Sequence, residues 1–146
     1  DQPRSRGLGD VYKRQVYYMS KNGMVTDKWV NTEEGTYYFG GDGKAASGWT
    51  TIDDIDFYFS GDGKLQSGWT DIGGKRYFLE NGVMLRGPVY IDGVYYVIGE
   101  NGYLKSGWIK WNSQHYYCRD DGTPYTDTEK TIDGKKYTFD SSGARQ

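Results

Sequence analysis

The stretch Gly35-Thr36-Tyr37-Tyr38-Phe39-Gly40-Gly41-Asp42-Gly43-Lys44-Ala45-Ala46-Ser47-Gly48-Trp49 holds, in order, an aromatic triplet, an acidic residue followed by glycine, and a Gly-Trp step. The same features recur along the chain. Glycines that follow a small polar or acidic residue stand at Gly23, Gly43, Gly63, Gly82, Gly102, Gly122 and Gly143, spaced by 20, 20, 19, 20, 20 and 21 residues. Aromatic clusters precede them at Tyr17-Tyr18, Tyr37-Tyr38-Phe39, Phe57-Tyr58-Phe59, Tyr77-Phe78, Tyr95-Tyr96, Tyr116-Tyr117, and Tyr137 with Phe139. Six residues after the glycine a tryptophan returns at Trp29, Trp49, Trp69 and Trp108, while Pro88 and Thr128 stand where a further one is expected. A period held over seven units identifies a repeat array.

Aromatic triplets favour extended backbone, and Asn-Gly or Asp-Gly supplies the positive φ angles of a two-residue turn. Each unit is therefore expected to be a strand, a turn at the aligned glycine and a second strand. Within Tyr37-Tyr38-Phe39, alternation puts residues 37 and 39 on one face and Tyr38 on the other. A lone two-stranded hairpin is marginal in water, so hairpins must bury their rings on their neighbours. The expected fold is all-β, a solenoid of stacked two-stranded β-hairpins in about seven repeats.

Composition agrees with that architecture. The 146 residues include 22 Gly, 15 Tyr, 5 Trp and 5 Phe, but only 5 Leu, 7 Ile and 8 Val. A conventional aliphatic core is excluded, and the rings must carry the apolar area. A net charge of −2 leaves no basic footprint for nucleic acid. No apolar run approaches the roughly 18 residues of a membrane helix, so no membrane insertion is expected. One cysteine, Cys118, excludes an internal disulfide framework and a cysteine-based zinc site.

Residues 16–146 form the array, expected to be part of a longer protein. Residues 1–15 lack the motif and carry Arg4, Arg6, Lys13 and Arg14. Their segment from Arg6 to Gln15 resembles a translated sequencing-adaptor tail, so they are expected to be non-native or a linker.

The stretch from Gly35 to Trp49, and Ile132-Asp133-Gly134-Lys135-Lys136-Tyr137-Thr138-Phe139-Asp140-Ser141-Ser142-Gly143, resemble the cell-wall-binding repeats of Gram-positive bacteria. That family includes choline-binding modules of lysins, glucan-binding repeats of glucansucrases and repeats of large clostridial toxins. The resemblance implies a hairpin solenoid that binds a cell-wall polysaccharide or glucan, or choline, between hairpins. It also implies a secreted or cell-surface location and an attached catalytic or effector domain.

Choline-binding repeats of this kind place a third ring just before the Tyr-Tyr pair. Here Val16, Thr36, Asp56, Lys75, Tyr95, His115 and Lys136 hold that place, and only Tyr95 and His115 offer a ring. Most sites thus read as two-ring platforms suited to sugars. The expected stacking pairs are Trp29 with Tyr38, Trp49 with Tyr58, Trp69 with Tyr77, and Trp108 with Tyr117, with Lys44, Lys64 and Asp71 as polar partners. Pro88 and Thr128 interrupt two further sites. Choline on teichoic acid is the alternative ligand, and a structural spacer or protein-binding stalk the alternative role.

No catalytic constellation emerges. Asp42, Asp62 and Asp121 recur with the repeat and are explained by turn preference. Asp53-Asp54-Ile55-Asp56 lacks the spacing of a calcium loop, and Gly40-Gly41-Asp42-Gly43 lacks the context of a phosphate loop. His115 and Cys118, three apart on one strand, face opposite sides. A non-catalytic module without cofactor or metal is expected.

Overall fold

A computed structural model describes residues 16–146, so the expectation for residues 1–15 lies outside the described part. Among the described residues there is no helix. A short hairpin joins β1 (Met19–Ser20) and β2 (Gly23–Met24), followed by β3 (Lys28–Thr32) with β4 (Gly35–Phe39) and β5 (Gly48–Ile52) with β6 (Ile55–Phe59). Next, β7 (Gly68–Ile72), β8 (Lys75–Glu80) and β9 (Val83–Met84) form a three-stranded sheet. The last three hairpins are β10 (Gly87–Ile91) with β11 (Val94–Ile98), β12 (Gly107–Trp111) with β13 (Gln114–Cys118), and β14 (Thr128–Ile132) with β15 (Lys135–Phe139). The fold class is the expected all-β hairpin solenoid. The chain divides into two compact units, one reaching Ser67 with Leu79–Val83, the other comprising Gly68–Phe78 with Met84–Gln146.

The hairpins sit half a repeat away from their expected position. Each long hairpin joins the strand that follows the aligned glycine, Trp-bearing in four of the six, to the next aromatic strand, instead of turning at the aligned glycine. The backbone explains the shift. Asp53-Asp54 (φ 52° and 67°), Asn112-Ser113 (48° and 68°), Asp92-Gly93 (51° and 81°) and Asp133-Gly134 (52° and 83°) each place two consecutive left-handed residues between paired strands. That is the turn whose twist matches a hairpin. Glu33-Glu34 use another device, in which the Thr32 hydroxyl accepts from the amides of Glu34 and Gly35 at 3.1 and 3.2 Å.

Most aligned glycines instead end a β-turn after the aromatic strand, as where the Gly63 amide donates to the Ser60 carbonyl at 2.9 Å and that of Gly122 to Arg119 at 2.9 Å. The chain then returns for a single bridge to the last triplet residue, at Phe39↔Ala45, Phe59↔Leu65, Cys118↔Pro124 and Phe139↔Arg145. Only around Asn22-Gly23 and Asn81-Gly82 does a hairpin form near the aligned glycine.

Alternation sorts the rings as expected. Tyr37 and Phe39 are 2% and 0% exposed, while Tyr38 between them stays half-buried. Phe59, Leu79 and Phe139 fill the position of Phe39 in their own hairpins, all buried. One cluster in the second unit gathers Val97, Ile109, Tyr116, Cys118 and Ala144. Backbone bonds tie successive repeats: the Leu65 amide donates to the Thr36 carbonyl at 2.8 Å, Leu104 to Arg76 at 2.9 Å, and Arg145 to His115 at 2.8 Å. Cys118 lies in this interior with its thiol directed at the Val97 carbonyl, 3.8 Å away, and burial pushes the thiol pKa up to about 12.

Two outcomes are expected. Gly122 has φ 88°, and a Cβ there would lie 2.5 Å from Leu104, so Gly122→Ala should cost on the order of 1–3 kcal/mol, read as a lower urea midpoint. The raised pKa of Cys118 means its contribution is complete below about pH 9 and is lost as pH rises towards about 12. Alkaline titration of stability should therefore fall in that window less steeply in Cys118→Ala, and the native thiol should resist a disulfide reagent until the chain unfolds.

Candidate aromatic ligand site

The strand register brings three tryptophans directly across from the middle ring of the following triplet: Trp29↔Tyr38, Trp49↔Tyr58 and Trp108↔Tyr117. Their centroids lie 5.2, 5.0 and 5.0 Å apart. Both partners point to the face away from the buried triplet residues, because side chains alternate along a strand. Trp29 and Trp49 keep 39% and 37% exposure, so a ligand can reach these rings. Three of the four expected pairs are thus brought together.

The fourth is corrected. Trp69 meets Phe78, at 5.1 Å, and not Tyr77. The triplet here is Tyr77-Phe78-Leu79, with the aliphatic Leu79 buried in third place. Phe78, and not Tyr77, is therefore the middle residue. Tyr77 faces the other way and meets Tyr103 at 5.9 Å.

A second correction concerns the third ring. It comes from the first triplet position of the next hairpin, and not from the residue before the Tyr-Tyr pair. Trp29 meets Phe57 at 5.0 Å with planes at 73°. Trp69 meets Tyr96 at 5.2 Å and 67°, and Trp108 meets Tyr137 at 4.9 Å and 73°. With the cross-strand rings at 64°, 73° and 67°, each tryptophan stands steeply inclined to two neighbours. A third ring, missing from the local motif, thus lies beside Trp29, Trp69 and Trp108. Phe57, Tyr96 and Tyr137 lie 28, 27 and 29 residues after their tryptophans, an offset the period itself contains.

Where the pattern breaks, the register says what replaced it. Pro88 pairs with Val97, so both ring positions are lost in that hairpin. In the last hairpin Glu129 takes the tryptophan position opposite Thr138, and Thr128 takes the position of the preceding glycine. The glycine spacing of 21 supplies the extra residue that moves the register by one.

The expected polar partners serve other ends. Lys44 approaches Asp42 at 4.0 Å, the Lys64 stem lies against the backbone at Gly35, and Asp71 pairs with Arg76 at 3.1 Å. Among the described residues no cluster of His, Cys, Asp and Glu could hold a metal ion. A cavity of about 230 Å³ in the second unit is lined by Glu100, Asn101, Lys105, Trp108 and Lys110, among others.

The family model for the putative cell wall binding repeat matches residues 27–45, 47–65 and 106–123, the three units that carry a Trp–Tyr pair. No curated protein matches the chain. Among solved structures, choline binding protein F from Streptococcus pneumoniae aligns with a TM-score of 0.78 and 29% identity, over 97% of this chain and 47% of its own. CbpJ from Streptococcus pneumoniae aligns with a TM-score of 0.78 and 26% identity, over 96% of this chain and 48% of its own. Alternansucrase in complex with isomaltononaose gives 0.54 and 26%, over 96% of this chain and 11% of its own. The chain spans about half the length of the two streptococcal proteins. The repeat period, the paired rings and these matches agree: residues 27–45, 47–65 and 106–123 match the cell wall binding repeat, and the chain as a whole is similar to the streptococcal choline-binding proteins.

Proposed function

We propose that the array is a non-catalytic module that holds an attached domain to a bacterial surface by binding choline groups on a wall polymer. The observation that carries this reading is the steep inclination of one tryptophan to two further rings, Trp29 to Tyr38 and Phe57 and Trp108 to Tyr117 and Tyr137. A sugar stacks best on an open flat ring. Rings inclined at 64° to 73° offer no shared flat platform but can wall a small space on more than one side, which suits a compact cation. A quaternary ammonium has no N–H group that demands a hydrogen bond, so aromatic walls suffice. Desolvated cation–π attraction is worth about 2 kcal/mol or more. The name of choline binding protein F supports the same ligand.

A glycan is the second reading, at a place other than the paired-ring platforms. The polar cavity beside Trp108 offers carboxylate, amide and ammonium groups next to a ring, the combination that hydroxyls and C–H faces require. The likeness to alternansucrase solved with isomaltononaose supports it. Either ligand would gain from several weak sites engaging one polymer, by as much as ~10²–10⁴-fold.

Retention should be compared on choline resin, dextran resin and purified walls. Trp29→Ala and Trp108→Ala are each expected to remove one choline site by calorimetry and weaken that site by roughly tenfold or more. Free choline should elute the parent protein from walls. Retention on dextran alone, unaffected by choline but reduced by Asn101→Ala, would favour the glycan. No response of tryptophan fluorescence to either ligand would leave the spacer role standing and overturn both binding readings.

A further inference from the structure

The ring clusters are not chemically equal, and the difference lies in the pair of residues beyond each ring pair. Two positions after the tryptophan and two before the middle ring, alternation returns side chains to the ring-bearing face. In the first long hairpin these are Asn31 and Thr36, directly opposed, and the Thr36 hydroxyl donates to Asn31 Oδ1 at 2.6 Å. That pair is neutral. In the next, Thr51 donates to the Asp56 carboxylate.

In the third hairpin the same positions hold Asp71 and Arg76. Arg76 Nη1 donates to Asp71 Oδ1 at 3.1 Å, and the guanidinium carbon lies 5.1 Å from the centroid of the Trp69 ring. Trp69 in turn meets Phe78 and Tyr96 at 5.1 and 5.2 Å. The cluster therefore has its ring walls and, in addition, a cation of its own on the tryptophan.

We propose that Arg76 is the resident cation of the Trp69–Phe78–Tyr96 cluster and closes it to quaternary ammonium ligands. The inference rests on the choline reading of the other clusters. The ring quadrupole that would attract choline attracts a guanidinium equally well. Because Arg76 is joined to the chain, it competes at an effective concentration in the millimolar range or above. Asp71 is a positioning residue. The ion pair is exposed on both sides and contributes little stability by itself, but it fixes the guanidinium over the ring. A choline ammonium entering here must displace that group or bear a like charge beside it.

The test is calorimetric, with choline as the probe and the full chain as the sample. Trp69→Ala in the parent should leave the number of choline sites unchanged, whereas Trp29→Ala should remove one. The double variant Asp71→Asn, Arg76→Thr recreates the polar neutrality of the first hairpin and should add one site, which Trp69→Ala in that background should remove again. Circular dichroism of the double variant checks that it folds without relying on ligand. Loss of a site in the parent Trp69→Ala protein, or no gain in a folded double variant, would overturn the inference while the choline reading survives through Trp29. Absence of choline uptake by every protein would overturn both.

Discussion

Five of the six long hairpins are two strands wide and the other gains only the short β9, and such a ribbon has no second layer of its own to bury its rings against. The structure meets that constraint by lending Trp29, Trp69 and Trp108 each to two hairpins at once. Trp29 pairs across the strands with Tyr38 and also lies against Phe57 and Phe59 of the following hairpin. Trp108 repeats the arrangement with Tyr117, Tyr137 and Phe139. The contact that stabilises the stack is thus also the wall of the candidate ligand site. Rings take this double role because they are large, and because steeply inclined pairs are favoured by their own quadrupoles.

That sharing connects stability to function in a way a central core would not. In a globular domain, most large apolar side chains can be hidden while the site is built from a few others. Here the residues of full burial are few and modest, such as Phe39, Phe59, Leu79 and Phe139, and the tryptophans remain partly open. A ligand entering between the rings would complete an interface between successive hairpins, so binding and local order should rise together. The hairpins that depart from the pattern retain the backbone and lose the rings, as Pro88 with Val97 and Glu129 with Thr138 show. Within this architecture a repeat can keep its structural role after its ring pair has gone.

Much of this was legible before any coordinates. The glycine and aromatic period identified a hairpin array, and strand alternation correctly separated Tyr37 and Phe39 from Tyr38. The hairpin position is not legible in the same way, because Asn-Gly and Asp-Gly are strong turn signals wherever they occur. The true hairpin turns include Glu33-Glu34, Asp53-Asp54 and Asn112-Ser113, which carry no glycine. Asp and Asn tolerate the left-handed region well enough to serve at Asp53-Asp54 and Asn112, Glu33-Glu34 rely on the Thr32 hydroxyl instead, and this variety hides the turns from a search for one motif. The place of Phe78 as the middle ring is hidden for a similar reason: the triplet ends in Leu79, so its aromatic signature is one residue short.

The sequence by itself determined the period, the all-β class and the kinds of residue available at each site, since these follow from local propensity and spacing. Only the tertiary structure decided which rings meet. A third wall contributed from 28 residues further along depends on how one hairpin packs against the next, and no local pattern specifies that contact. Packing also decided that the Arg76 guanidinium rests on Trp69. Their side chains share a strand face by alternation, but occupancy of the ring required a distance that spacing could not supply.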